Sequence, residues 1–200
     1  MPPVSDSSTG GYLLPSGTPP LAGRELAQFI HGWVVGVSGL PGPMVRVAFQ
    51  PEPPNVPQAG QSWCAVQIKS SSGEEFPFVG RLPGVTGDAL QSNDTVDLLI
   101  SFYDLGQTGL ADLHARRFRD GAVLAQNREP LQLAGFGLVK RPGPLVAVPS
   151  LLSRRWLYRV DVETMLRYQY VQTYRVLDVD SARGDLYTDG GLPPQPFAAS

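Results

Sequence analysis

The chain has 200 residues, 22 of them Gly and 20 Pro, with a formal net charge of −2. Hydrophobic residues make up 42% and charged residues 17%, which excludes whole-chain disorder, since that needs few apolar residues and a high net charge. The near-zero charge also denies the chain the broad basic footprint of a protein that holds free nucleic acid. Charge is scarce for a soluble surface, where about 25% is usual. One remedy is to bury much of that surface against other subunits.

Further bookkeeping narrows the class. Lys69 and Lys140 are the only lysines, so the bases are mainly arginines, which suit bidentate and stacked contacts. A single cysteine, Cys64, rules out an internal disulfide framework and fits a reducing compartment. No apolar run approaches the ~18 residues of a membrane span, so no membrane role is expected. Met1 to Asp6 lacks the basic start and apolar stretch of a secretory leader.

In chain order, residues 1–20 are rich in Pro, Ser and Gly and read as an extended N-terminal arm. Tyr12, Leu13 and Leu14 give that arm something to dock with. Leu26, Phe29, Ile30, Trp33, Val34 and Val37 then recur at helical spacing, and Gly39 and Pro41 end the helix. Met44 to Gln50 alternates, with Val45, Val47 and Phe49 on one face, which predicts a strand. Residues 51–60 are a proline-rich loop. Trp63 to Lys69 alternates again, with Cys64, Val66 and Ile68 on one side. Residues 70–92 read as a long excursion, a length that is usually functional. Asp94 to Tyr103 is a third strand carrying Val96, Leu98, Ile100 and Phe102 in period two.

Gly106 and Gly109 break that strand. A second helix is expected from Leu110 to about Ala125, with Leu110, Leu113, Phe118 and Leu124 as its apolar side. A helical turn follows at Glu129–Ala134. Trp156, Tyr158, Val160, Val162 and Leu166 share one parity, and strand character continues from Tyr168 to Asp180. The reading is a long C-terminal β-hairpin at about 154–180, long enough to outrun a small domain. Residues 181–200 are a Gly/Pro tail. The fold class is therefore α+β: a mainly antiparallel sheet flanked by two helices, in one domain at 21–180 between the arm and the tail.

Candidate chemistry is sparse. Asp161 and Glu163 point the same way on a strand, as do Asp178 and Asp180, so two carboxylate pairs could hold a divalent metal in a small nuclease. The competing reading is a solvated face with Arg155, Arg159 and Arg175 as partners. One Cys and two widely separated His (His31, His114) do not supply a zinc site. Cys64 lies on an apolar parity with no paired histidine, so a buried thiol is expected. Gly106-Gln107-Thr108-Gly109 has the outline of a phosphate loop, but Leu110 stands where that motif needs lysine. No catalytic, metal or cofactor site is assigned.

Larger motifs carry a resemblance. They are Phe102-Tyr103-Asp104-Leu105-Gly106, Leu110-Ala111-Asp112-Leu113, Arg119-Asp120-Gly121, Gln126 to Leu131, and Leu133 to Val139. Arg154 to Val162 and Tyr168 to Leu177 complete the series. In that order they resemble the neck or tail terminator proteins of contractile-tailed bacteriophages over roughly residues 24–180. One departure follows Phe102-Tyr103: that family usually has a glycine straight after the tyrosine, and here Asp104 and Leu105 intervene before Gly106, at the approach to the second helix.

The resemblance implies a structural virion subunit, made in the host cytoplasm, that forms a homo-hexameric ring on the head-proximal end of the tail tube. Such a ring ends tube and sheath growth and meets neck, collar or head–tail adaptor proteins on its other side. DNA passes through its lumen unread. It implies no enzyme activity and no cofactor. The alternatives are a head-completion or tube-initiator protein and, from another class, the nuclease above. Interface residues are expected at Trp156, Tyr158, Arg159, Tyr170, Tyr174 and Arg175, and at Tyr12, Leu13 and Leu14 of the arm, because aromatics and arginine are enriched in interfaces.

Overall fold

A computed structural model of the chain describes residues 8, 12–16, 19–49, 57, 61–85, 87–106, 108–152, 155–176, 182–186 and 195–199. Two compact units emerge: residues 19–78 with 91–171, and residues 1–18, 79–90 and 172–200.

The first helix, α1 (Gly23–Ser38), forms where the apolar spacing predicts it. Leu26, Ile30, Trp33 and Val34 are buried, and Phe29 and Val37 pack beside them. The helix stops at Gly39 in the left-handed conformation, φ 71°, which glycine adopts without steric cost.

The sheet is mixed and mainly antiparallel. Among the described residues it has seven strands in the order β1-β2-β4-β7-β5, with β3 on β4 and β6 on β7. Strand β1 (Val45–Val47) runs parallel to β2 (Ser62–Ser72). The predicted strand at 44–50 is thus cut to three residues. A short 3-10 turn (Gly42–Met44) precedes it, and Phe49 turns out at φ 59° with 85% exposure. Strand β2 pairs antiparallel with β4 (Asp88–Asp104) from Ser62↔Asp104 to Ser72↔Thr95. Both strands run into the stretch read as an excursion at 70–92. Between them lies β3 (Phe78–Gly80).

Three helices, rather than two, accompany the sheet among the described residues. Helix α2 spans Leu110–Gly121 and buries Ala111, Ala115 and Phe118. Of the predicted apolar side, Phe118 is buried and Leu110 half-buried, but Leu113 is 41% exposed, and Leu124 lies beyond the helix and is exposed. Alanines allow close approach to neighbours, so the small residues face inward. The helical turn expected at Glu129–Ala134 belongs to a longer helix, α3 (Ala125–Leu133).

The largest correction concerns the hairpin. Residues Arg155–Tyr174 form one continuous strand, β7, with no turn near Tyr168. Its antiparallel partners precede it. Strand β5 (Phe136–Lys140) pairs with Met165 to Tyr168, and β6 (Val146–Leu152) pairs from Val146↔Asp161 to Leu152↔Arg155. The two partners run in the same direction along β7. They are one interrupted hairpin arm, with residues 141–145 between them. Two hydrogen bonds hold the interruption to β7: Gly143 N donates to Glu163 O at 2.7 Å, and Thr164 Oγ1 donates to Lys140 O at 2.7 Å.

The core lies between the helices and one sheet face. Val96, Leu98, Ile100 and Phe102 of β4 meet Cys64 and Val66 of β2 and Val160, Val162 and Leu166 of β7. Trp33 packs edge-on to Phe118 at 5.3 Å, and its buried indole N–H donates to Asn127 O at 3.0 Å. In the smaller unit, Ser16 N donates to Thr173 O at 2.7 Å. Residues Ala182–Leu186 (β8) pair with Gln195–Ala199 (β9), inside the stretch read as a tail.

Gly135, between α3 and β5, has φ 81°, and a Cβ there would lie 2.8 Å from Gln169 O. Gly135→Ala should therefore cost about 2 kcal/mol or more, since left-handed strain alone is worth roughly 1–3 kcal/mol. Gly32 in α1 has open space around its Cα. Gly32→Ala should gain up to about 1 kcal/mol. Urea midpoints for the two variants check the contrast. A Gly135→Ala protein as stable as the wild type would contradict this connection.

Candidate functional site

Among the described residues, the candidate carboxylates Asp161 and Glu163 are engaged in structural contacts. Asp161 accepts from Arg159 Nε and Nη2, each at 2.6 Å, and from Ser101 Oγ at 2.7 Å. This bidentate pair raises the Arg159 pKa, chiefly through its hydrogen bond to Asp161. Glu163 meets Lys69 at 2.7 Å across the intervening β4. Both carboxylates are paired, but not as expected: Arg159 reaches Asp161 from two residues along the same strand, and Asp161 is largely buried, while exposed Glu163 has a lysine for its cross-strand partner. Asp178 and Asp180 lie outside the described residues. Among the described residues, no group of three or more His, Cys, Asp or Glu could hold a metal ion.

The histidines fasten elements together. His31 Nε2 sits 2.9 Å from Val45 O, and His114 Nδ1 sits 3.1 Å from Ser38 O. A carbonyl only accepts, so those ring nitrogens carry the protons. Cys64 is fully buried on the core face, and burial pushes its thiol far up. A thiol that does not ionise is a poor nucleophile.

The loop with the outline of a phosphate site holds an anion of its own. Asp104, buried at the end of β4, sends its carboxylate back into residues 106–110. It accepts from Gly106 N at 2.9 Å, Thr108 N at 2.7 Å, Thr108 Oγ1 at 2.7 Å and Leu110 N at 3.3 Å. The carboxylate thus satisfies two amides of the turn and the first amide of α2, and complements the positive end of the helix. Burial alone would raise this carboxyl. The donors outweigh it and hold the pKa below the usual carboxylate value. Sequence spacing marks a strand-to-helix turn here but does not single out Asp104.

A second arrangement crosses four strands. Arg46 of β1 lies over the Trp63 ring at 5.2 Å. Trp63 of β2 stacks on Tyr103 of β4 with centroids 4.0 Å apart, and Arg159 of β7 lies 5.8 Å from the Tyr103 ring. Trp63 and Tyr103 are direct cross-strand partners. Stacked aromatics add about 0.5–1.5 kcal/mol beyond area burial, and the arginines extend the stack by cation–π contact. These side chains are only partly buried on the sheet face opposite the core parity.

The expected interface residues fall in different settings. Trp156 is 64% exposed and stands opposite Leu151, itself 60% exposed, at the β6–β7 end. Tyr158, half-buried, hydrogen-bonds with Asp112 of α2, which raises its pKa. Arg159 belongs to the stack above. Tyr170 is half-buried and contacts Tyr168. Tyr174 is half-buried and Arg175 exposed. Tyr12 and Leu14 are exposed, and Leu13 is half-buried.

The described residues thus join a buried carboxylate and tethering histidines to exposed apolar side chains on strand and helix surfaces. A model of the phage neck terminator protein family matches residues 24–191. That span is most of the chain, and the chain belongs to the family: it is a structural protein of the tail and neck of a phage. No curated protein matches it. Among the described residues, no helix is long and apolar enough to cross a membrane.

Asp104→Asn should lower stability by about 2–3 kcal/mol at pH 7, because hydrogen bonds to a charged group are worth roughly that much. A lowered carboxylate pKa contributes stability above the unfolded value, near 3.9, that is lost as pH falls through the folded value. Urea titrations at pH 7 and pH 2.5 should show a smaller loss on acidification for Asp104→Asn than for the wild type. Equal losses would remove Asp104 from this role.

Proposed function

We propose that the chain is the subunit of a hexameric ring that caps the head-proximal end of the tail tube. The ring ends tube and sheath polymerisation and joins the tail to the neck, collar or head–tail adaptor proteins. DNA passes through its lumen. The observation that carries this reading is the family match over residues 24–191.

Physical features support it. The net charge of −2 gives passing DNA little to hold on to. Exposed Trp156 and Leu151 give a subunit apolar surface to bury against a neighbour. We assign contact roles to Trp156, Tyr158, Arg159, Tyr170, Tyr174 and Arg175, and to Tyr12, Leu13 and Leu14 of an arm at 1–20 that settles on assembly. The subunit acts as a scaffold without cofactor or catalysis. It assembles in the host cytoplasm and ends in the virion.

Native mass spectrometry and electron microscopy of the purified chain with tail tubes test the proposal. A six-fold ring at one tube end is expected. A chain that neither forms rings nor binds tube ends would overturn it. Trp156→Ala should leave stability within about 0.5 kcal/mol, as exposed positions generally do, yet reduce the fraction of capped tubes. Unchanged capping would remove Trp156 from the interface.

A further inference from the structure

We infer that the β2–β4 hairpin end at residues 73–78 docks on the exposed face of α2 in a second copy of this chain. The inference rests on the ring reading and names the contact between neighbouring subunits. Phe76 is 82% exposed and Phe78 50% exposed on the connection leaving β2. Around them, residues 73–78 and 91–97 carry Glu74, Glu75, Asp94 and Asp97 and no base. Three of these carboxylates accept from neutral donors. Glu74 accepts from the backbone and side-chain amides of Asn93 at 3.1 Å each, Asp94 from Ser92 at 2.7 Å, and Asp97 from Ser70 at 2.7 Å. This end is apolar and anionic.

Helix α2 offers the complement. Leu113 is exposed, and Arg116 and Arg117 lie three and four residues on, exposed on the same face. Asp120 is held by Arg119 at 2.8 Å. Residues 110–141 carry six Arg and Lys against three Asp and Glu. Asp112 beside Leu113 is engaged by Tyr158, so a predominantly basic apolar face meets a predominantly acidic one, the arrangement that steers and registers an interface. Self-pairing of either patch sets like charges together. Two different patches of one chain make a heterologous contact, and a ring follows where the rotation closes.

Charge reversal in the full chain, read by sedimentation at low salt, tests the contact. Glu75→Arg and Arg117→Glu should each raise the concentration for half-assembly by about ten-fold, and the double variant should recover it. Mixing a Glu75→Cys chain with an Arg117→Cys chain should give a disulfide-linked dimer that neither gives alone, since Cys64 is buried. A six-fold ring whose single reversals assemble like the wild type, without the cross-link, would overturn the contact and leave the ring. A chain that stays monomeric alone and on tubes would overturn both. Loss of tube capping with ring assembly intact would assign the patch to the tube and overturn the contact between copies.

Discussion

Strand β7 is the element through which the sheet holds together. It pairs with β4 along one edge and with β5 and then β6 along the other. Val160, Val162, Thr164, Leu166 and Tyr168 of β7 are all buried. That unbroken alternation allows one register only. A slip by one residue would carry Asp161, Glu163 and Arg167 into the core. The Arg159–Asp161 pair on the opposite face and its bond to Ser101 of β4 pin the same register from the other side. Core burial and surface pairing therefore select one alignment together.

The same strand explains what the sequence could and could not disclose. Period-two burial in β2, β4 and β7 was legible because Cys64, Val66, Val96, Leu98, Ile100, Phe102, Val160 and Val162 each follow parity. The hairpin was misplaced because strand character runs past Tyr168 without Gly, Pro or Asn to turn it, which is what one long strand looks like. The true second arm hid behind Pro142, Gly143, Pro144 and Pro149. The first three fill the interruption between β5 and β6. Pro149 sits within an edge strand, where a missing N–H is tolerated. In α2 the bulky Leu113 outweighed Ala111 and Ala115 in the pattern, although alanine's small size is what lets that face pack inward.

The site residues divide along a similar line. Trp156 and Tyr158 were visible as aromatics on a long strand, but the hydrogen bond of Tyr158 with Asp112 depends on how α2 packs. The Arg46–Trp63–Tyr103–Arg159 stack joins residues far apart in sequence, and only cross-strand register brings them together. Asp104 ends β4 where the chain turns toward α2. Its carboxylate organises the turn by accepting from the amides of Gly106, Thr108 and Leu110, and nothing in the spacing discloses that role.

Low surface charge then acquires a physical sense. A charge-poor subunit with exposed strand edges risks open-ended pairing with other chains. Here one edge strand, β1, is only three residues long, and β6 on the other side carries Pro149. Both features blunt strand addition. Exposed apolar side chains offer contact surface instead, among them Leu151 and Trp156 opposite each other, Phe76 and Phe78 on a hairpin end, and Leu113 on a helix. Side-chain patches have a fixed shape and register, whereas a bare strand edge accepts any extended chain. For a proposed role that ends a polymer, that difference is decisive, because a subunit that bound through open strand edges would offer the next subunit the same edge to extend.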